Sequence, residues 1–232
     1  MEFKIAGIQK SSMVDYPGLV SIAVFTPYCN YDCFYCHNRN ILSGDINLLD
    51  TNKILEFAKK RSGIIEGFVV SGGEPTIQSG LIDFIKSIRM LGYKIKLDTN
   101  GSNLDVVKKL VEDKLIDFIA IDLKAPFKKY NQILGGAADG RIAKETMVYA
   151  INSALPYEIR TTMIPQLEAE EMLETLAELP KLSRYAIQQY VKPQTLKECD
   201  RFKTNVEPHS SGYLEKYAKS CEEFSDNVIL RI

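Results

Sequence analysis

Cys29-Asn30-Tyr31-Asp32-Cys33-Phe34-Tyr35-Cys36 gathers three of the chain's five cysteines within eight residues. Short loops bring such sulfurs together, and as thiolates they can converge on one soft metal centre. Three ligands are one short of a closed tetrahedral zinc site or a fully ligated four-iron cluster. An open metal position suits chemistry more than scaffolding. His37 follows directly and could complete a zinc site. Structural zinc sites usually draw on two closely spaced ligand pairs, and the other cysteines, Cys199 and Cys221, have no paired spacing. An open metal–sulfur centre and a zinc knuckle are the two readings.

Three further polar clusters can do chemistry. Gly72-Gly73-Glu74-Pro75 lets backbone approach a ligand closely, and backbone carbonyls plus the Glu74 carboxylate could hold an ammonium group. The bland reading is a tight turn with Pro75 opening the next helix. Asp98-Thr99-Asn100-Gly101 is either a ligand-binding segment or a helix-capping turn. Asp122-Leu123-Lys124 places opposite charges on one side of a strand end, where charge must be paired, ligated or at a rim. Arg160 is a ligand group or a rim charge. Gln188 or Gln189 turns an amide inward, near a nucleoside base or a peptide. His209 reads as a surface loop residue, Cys199 as a surface thiol and Cys221 as a helix-packing thiol.

The elements that must position these clusters alternate. Val20–Phe25, Gly67–Ser71, Lys94–Asp98, Ile116–Leu123, Glu158–Met163 and Arg184–Tyr190 are apolar runs that read as strands. Between them, Thr51–Arg61, Leu81–Leu91, Asn103–Asp113, Ala143–Ser153 and Glu168–Leu179 read as helices, with Gly92 and Pro180 as stop signals. Helical crossovers between strands mean a parallel sheet. Six such units predict an α/β fold, an incomplete (β/α)6 TIM-like barrel, with a doubly wound open sheet as the competitor. In both, the site lies at the carboxyl ends of the strands, and each polar cluster falls there. The chain is expected to be one domain over 1–232, with the core barrel at 19–190. A short N-terminal extension covers 1–18, with Phe3–Gln9 an edge strand or half a hairpin. The segment 191–232 adds loop to His209, then a helix at Tyr213–Phe224 and a strand at Val228–Leu230.

Composition sets limits. Lys+Arg 29 against Asp+Glu 30 leaves a net charge of -1, which suggests neither a nucleic-acid nor a membrane partner. No apolar run is long enough to span a bilayer, and Met1–Ile5 lacks a signal-peptide pattern. An odd number of cysteines, three of them bunched, argues against a disulfide framework and for a reducing cytoplasm.

The C-x3-C-x2-C loop, with Tyr35 before its third cysteine, resembles the cluster loop of the radical S-adenosylmethionine superfamily. Val14-Asp15-Tyr16-Pro17-Gly18, the cysteine loop with His37-Asn38, then G-G-E-P, D-T-N-G and D-L-K follow in register over about half the chain. Together they are similar to the activating enzymes of glycyl-radical enzymes, most of all those serving anaerobic ribonucleoside-triphosphate reductase. No cysteine lies between His37 and Glu74, so the ferredoxin-like insert of many other activases is missing. The resemblance implies one 4Fe-4S cluster on Cys29, Cys33 and Cys36, with S-adenosylmethionine on its fourth iron. It implies that Gly72, Gly73 and Glu74 hold the methionine amino group. Tyr35, Asp98, Thr99, Asn100, Asp122, Lys124, Arg160 and Gln189 would line the cofactor site. Asp98, Thr99 and Asp122 would hold a monovalent cation, and Lys124 would lie near the cofactor carboxylate. Asp15 is expected beside the cluster loop, accepting a hydrogen bond from an incoming glycine loop, or else merely capping its turn. One electron from flavodoxin or ferredoxin would cleave the cofactor, and the resulting radical would take a hydrogen atom from a glycine of the partner enzyme. The competing enzyme reading is small-molecule chemistry of the 7-carboxy-7-deazaguanine synthase type. A non-enzymatic metal module is the third.

Overall fold

In the computed structural model, residues 3–42, 46–194 and 197–232 are described. Met1 and Glu2, part of the stretch read for a signal, and 195–196, within the stretch read as loop, lie outside them. In chain order the elements are β1 Gly7–Tyr16, β2 Leu19–Thr26, α1 Arg39–Leu42, α2 Thr51–Arg61, β3 Gly67–Gly72, α3 Leu81–Met90, β4 Lys94–Thr99, α4 Leu104–Glu112 and β5 Phe118–Asp122. Then come α5 Tyr130–Leu134, α6 Gly140–Asn152, β6 Tyr157–Met163, α7 Ala169–Ala177, β7 Tyr185–Gln189, α8 Arg201–Thr204, α9 Ser211–Cys221 and β8 Val228–Arg231. The strand order of the sheet is the chain order, β1 to β8. β2 runs parallel to β3 and β3 to β4, and likewise β6 to β7 and β7 to β8, while β1 is antiparallel to β2.

The chain divides into two compact units. One comprises Met1–Cys29, Asn40–Thr99 and Asp105–Ala120, and the other Asn30–Arg39, Asn100–Leu104 and Ile121–Ile232. In the first, Phe68, Val69 and Val70 of β3 are all buried, as a strand covered on both faces requires. Leu81, Phe84, Ile85 and Ile88 of α3 are buried at helical spacing, and Phe84 stacks on Phe3 at 4.3 Å. Asp50 caps α2 by accepting from Asn52 N, and Lys59, Lys60 and Arg61 in its last turn suit the helix dipole. In the second unit four tyrosines, Tyr130, Tyr185, Tyr190 and Tyr217, are almost wholly buried. Such burial needs partners for the hydroxyls. Tyr185 Oη donates to Thr161 Oγ1 at 2.8 Å and lies 3.0 Å from Tyr217 Oη.

Differences from the sequence reading are local. The N-terminal strand is not Phe3–Gln9 but Gly7–Tyr16, a full hairpin partner of β2. Its register shifts between Gln9 and Ser12 and again before Tyr16. These irregularities break the period-two pattern that sequence reading depends on. Pro17-Gly18 makes the turn, with Gly18 at φ 80°. The fourth core strand begins at Phe118 rather than Ile116, because Asp117 turns its carboxylate to Ile95 N (2.8 Å) and Arg89 (3.0 Å). α6 begins three residues early, at Gly140, behind the capping carboxylate of Asp139.

Candidate active site

In the first unit, the strand ends of β2, β3 and β4 build a tightly tied corner. Gly72 has φ 119°, and a Cβ on Gly73 would lie 1.8 Å from Tyr28 O. Only glycine permits this approach. It lets Gly73 N donate to Thr26 O and Glu74 N to Tyr28 O, both at 2.8 Å. The segment leading to Cys29 is thus pinned to the G-G-E turn. Glu74 is fully buried. Its Oε1 accepts from Thr76 N (3.0 Å), Thr76 Oγ1 (2.6 Å) and Thr99 Oγ1 (2.7 Å). Glu74 thus caps the helical turn Pro75–Ile77, with Pro75 at its start as the helix-opening reading expects. Asp98 accepts from Ser71 Oγ at 3.2 Å and pairs with the buried Lys96.

Asp15 is not beside Cys29, the first residue of the cysteine loop. Tyr16 pairs with Leu19 at the start of β2, whereas Cys29 follows the other end of that strand. Seven strand steps separate Leu19 from Thr26, about 23 Å at ~3.3 Å per residue. The proximity expected from short sequence separation fails because the intervening residues are fully extended. Ser12 Oγ accepts from Val14 N and Asp15 N at 3.3 and 3.2 Å.

In the second unit, Cys36 N donates to Cys33 O at 3.1 Å, closing a turn between two cysteines. Arg39 Nη2 donates to the same carbonyl at 2.6 Å, and Arg39 also pairs with Asp32. Asp32 in turn pairs with Lys197. Burial acts to raise the Asp32 carboxyl, but hydrogen bonds from Lys197 and Arg39 prevail and hold it below its ordinary value. The loop after α5 supports the start of the cysteine loop. Asp32 N donates to Leu134 O (3.1 Å) and Ala137 N to Asn30 O (2.9 Å). A Cβ on Gly136, at φ 61°, would lie 2.6 Å from Asn30 O. Asn100 Nδ2 donates to Asn30 Oδ1 at 3.0 Å, and Asn100 Oδ1 caps Ser102 N at 2.9 Å.

Asp122 at the end of β5 accepts from Lys124 Nζ (3.0 Å) and Arg160 Nε (2.8 Å). Burial alone would raise its pKa; the two cations overcome that and hold it far below the carboxylate range. Burial likewise works to lower Lys124, but Asp122 outweighs it and the net shift is upward. Tyr35 Oη donates to Lys124 O at 3.5 Å, and burial foremost pushes that phenol up. Gln189 Nε2 donates to His209 O at 3.3 Å. His209, expected at the surface, is half-buried: Nε2 lies 3.2 and 3.0 Å from Ile164 O and Leu167 O, and the ring stacks on Tyr213. Cys199 is exposed and Cys221 is buried in α9.

Sequence reading missed Arg39, Lys96, Tyr130 and the Gly135-Gly136 turn. Only the paired glycines carried a signal, since adjacent glycines outside a strand or helix mark a backbone in the left-handed region. Among the described residues no three His, Cys, Asp or Glu side chains form a ready single-ion group. Of the three cysteines that the sequence offers as metal donors, Cys33 is buried and Cys29 and Cys36 are half-buried. Three thiols without a fourth suit a cluster that keeps one iron open.

The family model for the Radical SAM superfamily matches residues 23–179. The chain belongs to the radical SAM superfamily. Membership implies a 4Fe-4S cluster and S-adenosylmethionine, and the cysteine chemistry fits both. A Methanocaldococcus jannaschii protein with the provisional name glycyl-radical enzyme activating enzyme is 31% identical over 240 residues, spanning 100% of this chain and 97% of that protein. A Pyrococcus abyssi protein named as a probable GTP 3′,8-cyclase is 31% identical over 113 residues, 47% of this chain and 36% of the relative. Streptococcus suis SuiB, in a crystal structure with bound S-adenosylmethionine, superposes with a TM-score of 0.68 at 14% identity, covering 88% of this chain and 48% of that one. That likeness shows the fold alone. The fold is the α/β incomplete barrel expected from the alternation of strands and helices. No helix among the described residues is long and apolar enough to cross a membrane.

Proposed function

We propose that this radical SAM enzyme is a glycyl-radical-enzyme activase, and that its partner is an anaerobic ribonucleoside-triphosphate reductase. One observation carries the reading: the relative named for that activity aligns over 100% of this chain and 97% of its own length. The Pyrococcus abyssi cyclase-named relative aligns over 47% of this chain and 36% of its own length.

On this reading the whole of 1–232 works as one domain in the cytoplasm, with flavodoxin or ferredoxin as electron donor. Cys29, Cys33 and Cys36 hold one 4Fe-4S cluster. When bound, the cluster supplies the electron that splits S-adenosylmethionine into methionine and the radical that takes a hydrogen atom from the partner's glycine. The chain's own residues bind and orient. The Glu74 carboxylate and the backbone carbonyls of Gly72 and Gly73 receive the cofactor ammonium. Lys124 faces the cofactor carboxylate while Asp122 and Arg160 fix its position. Tyr35, Thr99, Asn100 and Gln189 complete the lining. Asp98, Thr99 and Asp122 bind a monovalent cation beside the cofactor carboxylate, with Lys96 paired to Asp98, and Arg160 and Lys124 to Asp122.

The small-molecule reading is supported by the likeness to the cyclase-named proteins, one of which aligns over 78% of this chain and 56% of its own length. Anaerobic incubation with reductant, S-adenosylmethionine and the reductase decides between them. A glycyl-radical electron paramagnetic resonance signal on the reductase is expected. Cofactor cleavage without that signal, together with turnover of GTP or another small molecule, would overturn the activase reading.

A further inference from the structure

The region around Cys33 and Cys36 contains a guanidinium that the proposed chemistry does not use. Arg39 lies three residues after Cys36, and its side chain is 10% exposed. Its Nη2 and the amide of Cys36 share one acceptor, Cys33 O, at 2.6 and 3.1 Å. The guanidinium therefore sits on the turn that joins two cysteines. Its Nε is buried and has no acceptor among the described residues. A buried charged donor left open is costly, and a thiolate or a cluster sulfide is an acceptor that would relieve it.

Charge counting points the same way. Asp32 neutralises one cation, but two cations, Arg39 and Lys197, pair with it. Asp200, the next carboxylate acting on Arg39, has its own counter-charge in Lys203, so the group of Asp32, Asp200, Arg39, Lys197 and Lys203 carries one net positive charge. Lys197 is 47% exposed and Asp32 43%, so water screens them far more than it screens Arg39.

We propose that Arg39 is a positioning residue that holds the Cys33–Cys36 turn and, through its buried charge, raises the reduction potential of the cluster bound there. Hydrogen bonds and net charge near the sulfurs are the protein's means of setting such potentials. Positive charge favours the reduced, more negative cluster. The inference rests on the three cysteines being the cluster ligands. That foundation is tested separately, because Cys33→Ala retaining full iron would remove it whatever Arg39 does.

The test is a redox titration of the reconstituted cluster followed by electron paramagnetic resonance, with iron content measured alongside. Arg39→Gln should disfavour reduction at least tenfold, about 59 mV for one electron. Arg39→Lys should recover most of that shift. Lys197→Gln should move the potential far less than Arg39→Gln does. An iron-loaded Arg39→Gln protein at the wild-type potential would overturn the proposal. If Arg39→Gln holds no iron, Asp32→Asn decides. It removes the counter-charge and leaves Arg39, so an upward shift supports the proposal and an unchanged potential overturns it.

Discussion

Thr99 Oγ1 donates to Glu74 Oε1 at 2.7 Å, and both side chains are buried. This bond ties the end of β4 to the G-G-E turn after β3. Thr99→Val keeps the shape and removes the donor, at a cost of about 1–3 kcal/mol. For a chain of this size that is a fall of roughly 2–12 °C in melting temperature. S-adenosylmethionine binding should weaken as well, since Glu74 loses one of its orienting partners. Thr99→Ser should behave as wild type. A valine variant that melts and binds normally would show that the bond positions nothing.

Gly73 gives a steric prediction. A Cβ there would meet Tyr28 O at 1.8 Å, while one on Gly212 meets nothing within 4 Å. Gly73→Ala must push the Tyr28–Cys29 segment away from Glu74, so iron loading on reconstitution should fall severalfold. Gly212→Ala should leave loading intact and leave stability equal or slightly higher, since alanine favours the first turn of α9. Equal iron loading in both variants would contradict the pinned-loop account.

The alternation of strands and helices was legible because buried parallel strands are short apolar runs and their crossovers are amphipathic. The cysteine loop and the G-G-E turn were legible because their residue types are rare and tightly spaced. What was hidden depends on contacts distant in sequence. Nothing near Arg39 announces that it reaches back to Cys33 O, and Lys197 reaches Asp32 across 165 residues. The placement of Asp15 was misread for the opposite reason, since nearness in sequence is not nearness in space when an extended strand intervenes.

That correction makes its own prediction. With Asp15 at the far end of β2 from Cys29, Asp15→Ala should retain both cofactor cleavage and glycyl-radical yield. Loss of radical yield with cleavage intact would return Asp15 to the site and require a different hairpin register.

Glu158 is almost wholly buried and accepts from Arg184 Nε at 2.7 Å and Arg231 Nη2 at 2.8 Å. Burial would raise its carboxyl, but the two arginines outweigh it and set the folded pKa below the ordinary glutamate value. The stabilisation is therefore complete above the unfolded value of about 4.3 and is lost as pH falls through the lower folded value. Glu158→Gln should cost about 1–3 kcal/mol near neutral pH, less than a fully buried pair because both arginines are partly exposed. The gap to wild type should close as the pH is taken below the folded value. Denaturant unfolding at a series of pH values measures it, and a pH-independent gap would contradict the assignment.

The most direct measurement is reductive cleavage of S-adenosylmethionine by anaerobically reconstituted protein, with wild type and Cys33→Ala side by side. The wild type should carry about four irons per chain and release methionine and 5′-deoxyadenosine, whereas Cys33→Ala should lose iron and release neither. Zinc in place of iron with no cleavage by the wild type, or full cleavage by Cys33→Ala, would contradict the account.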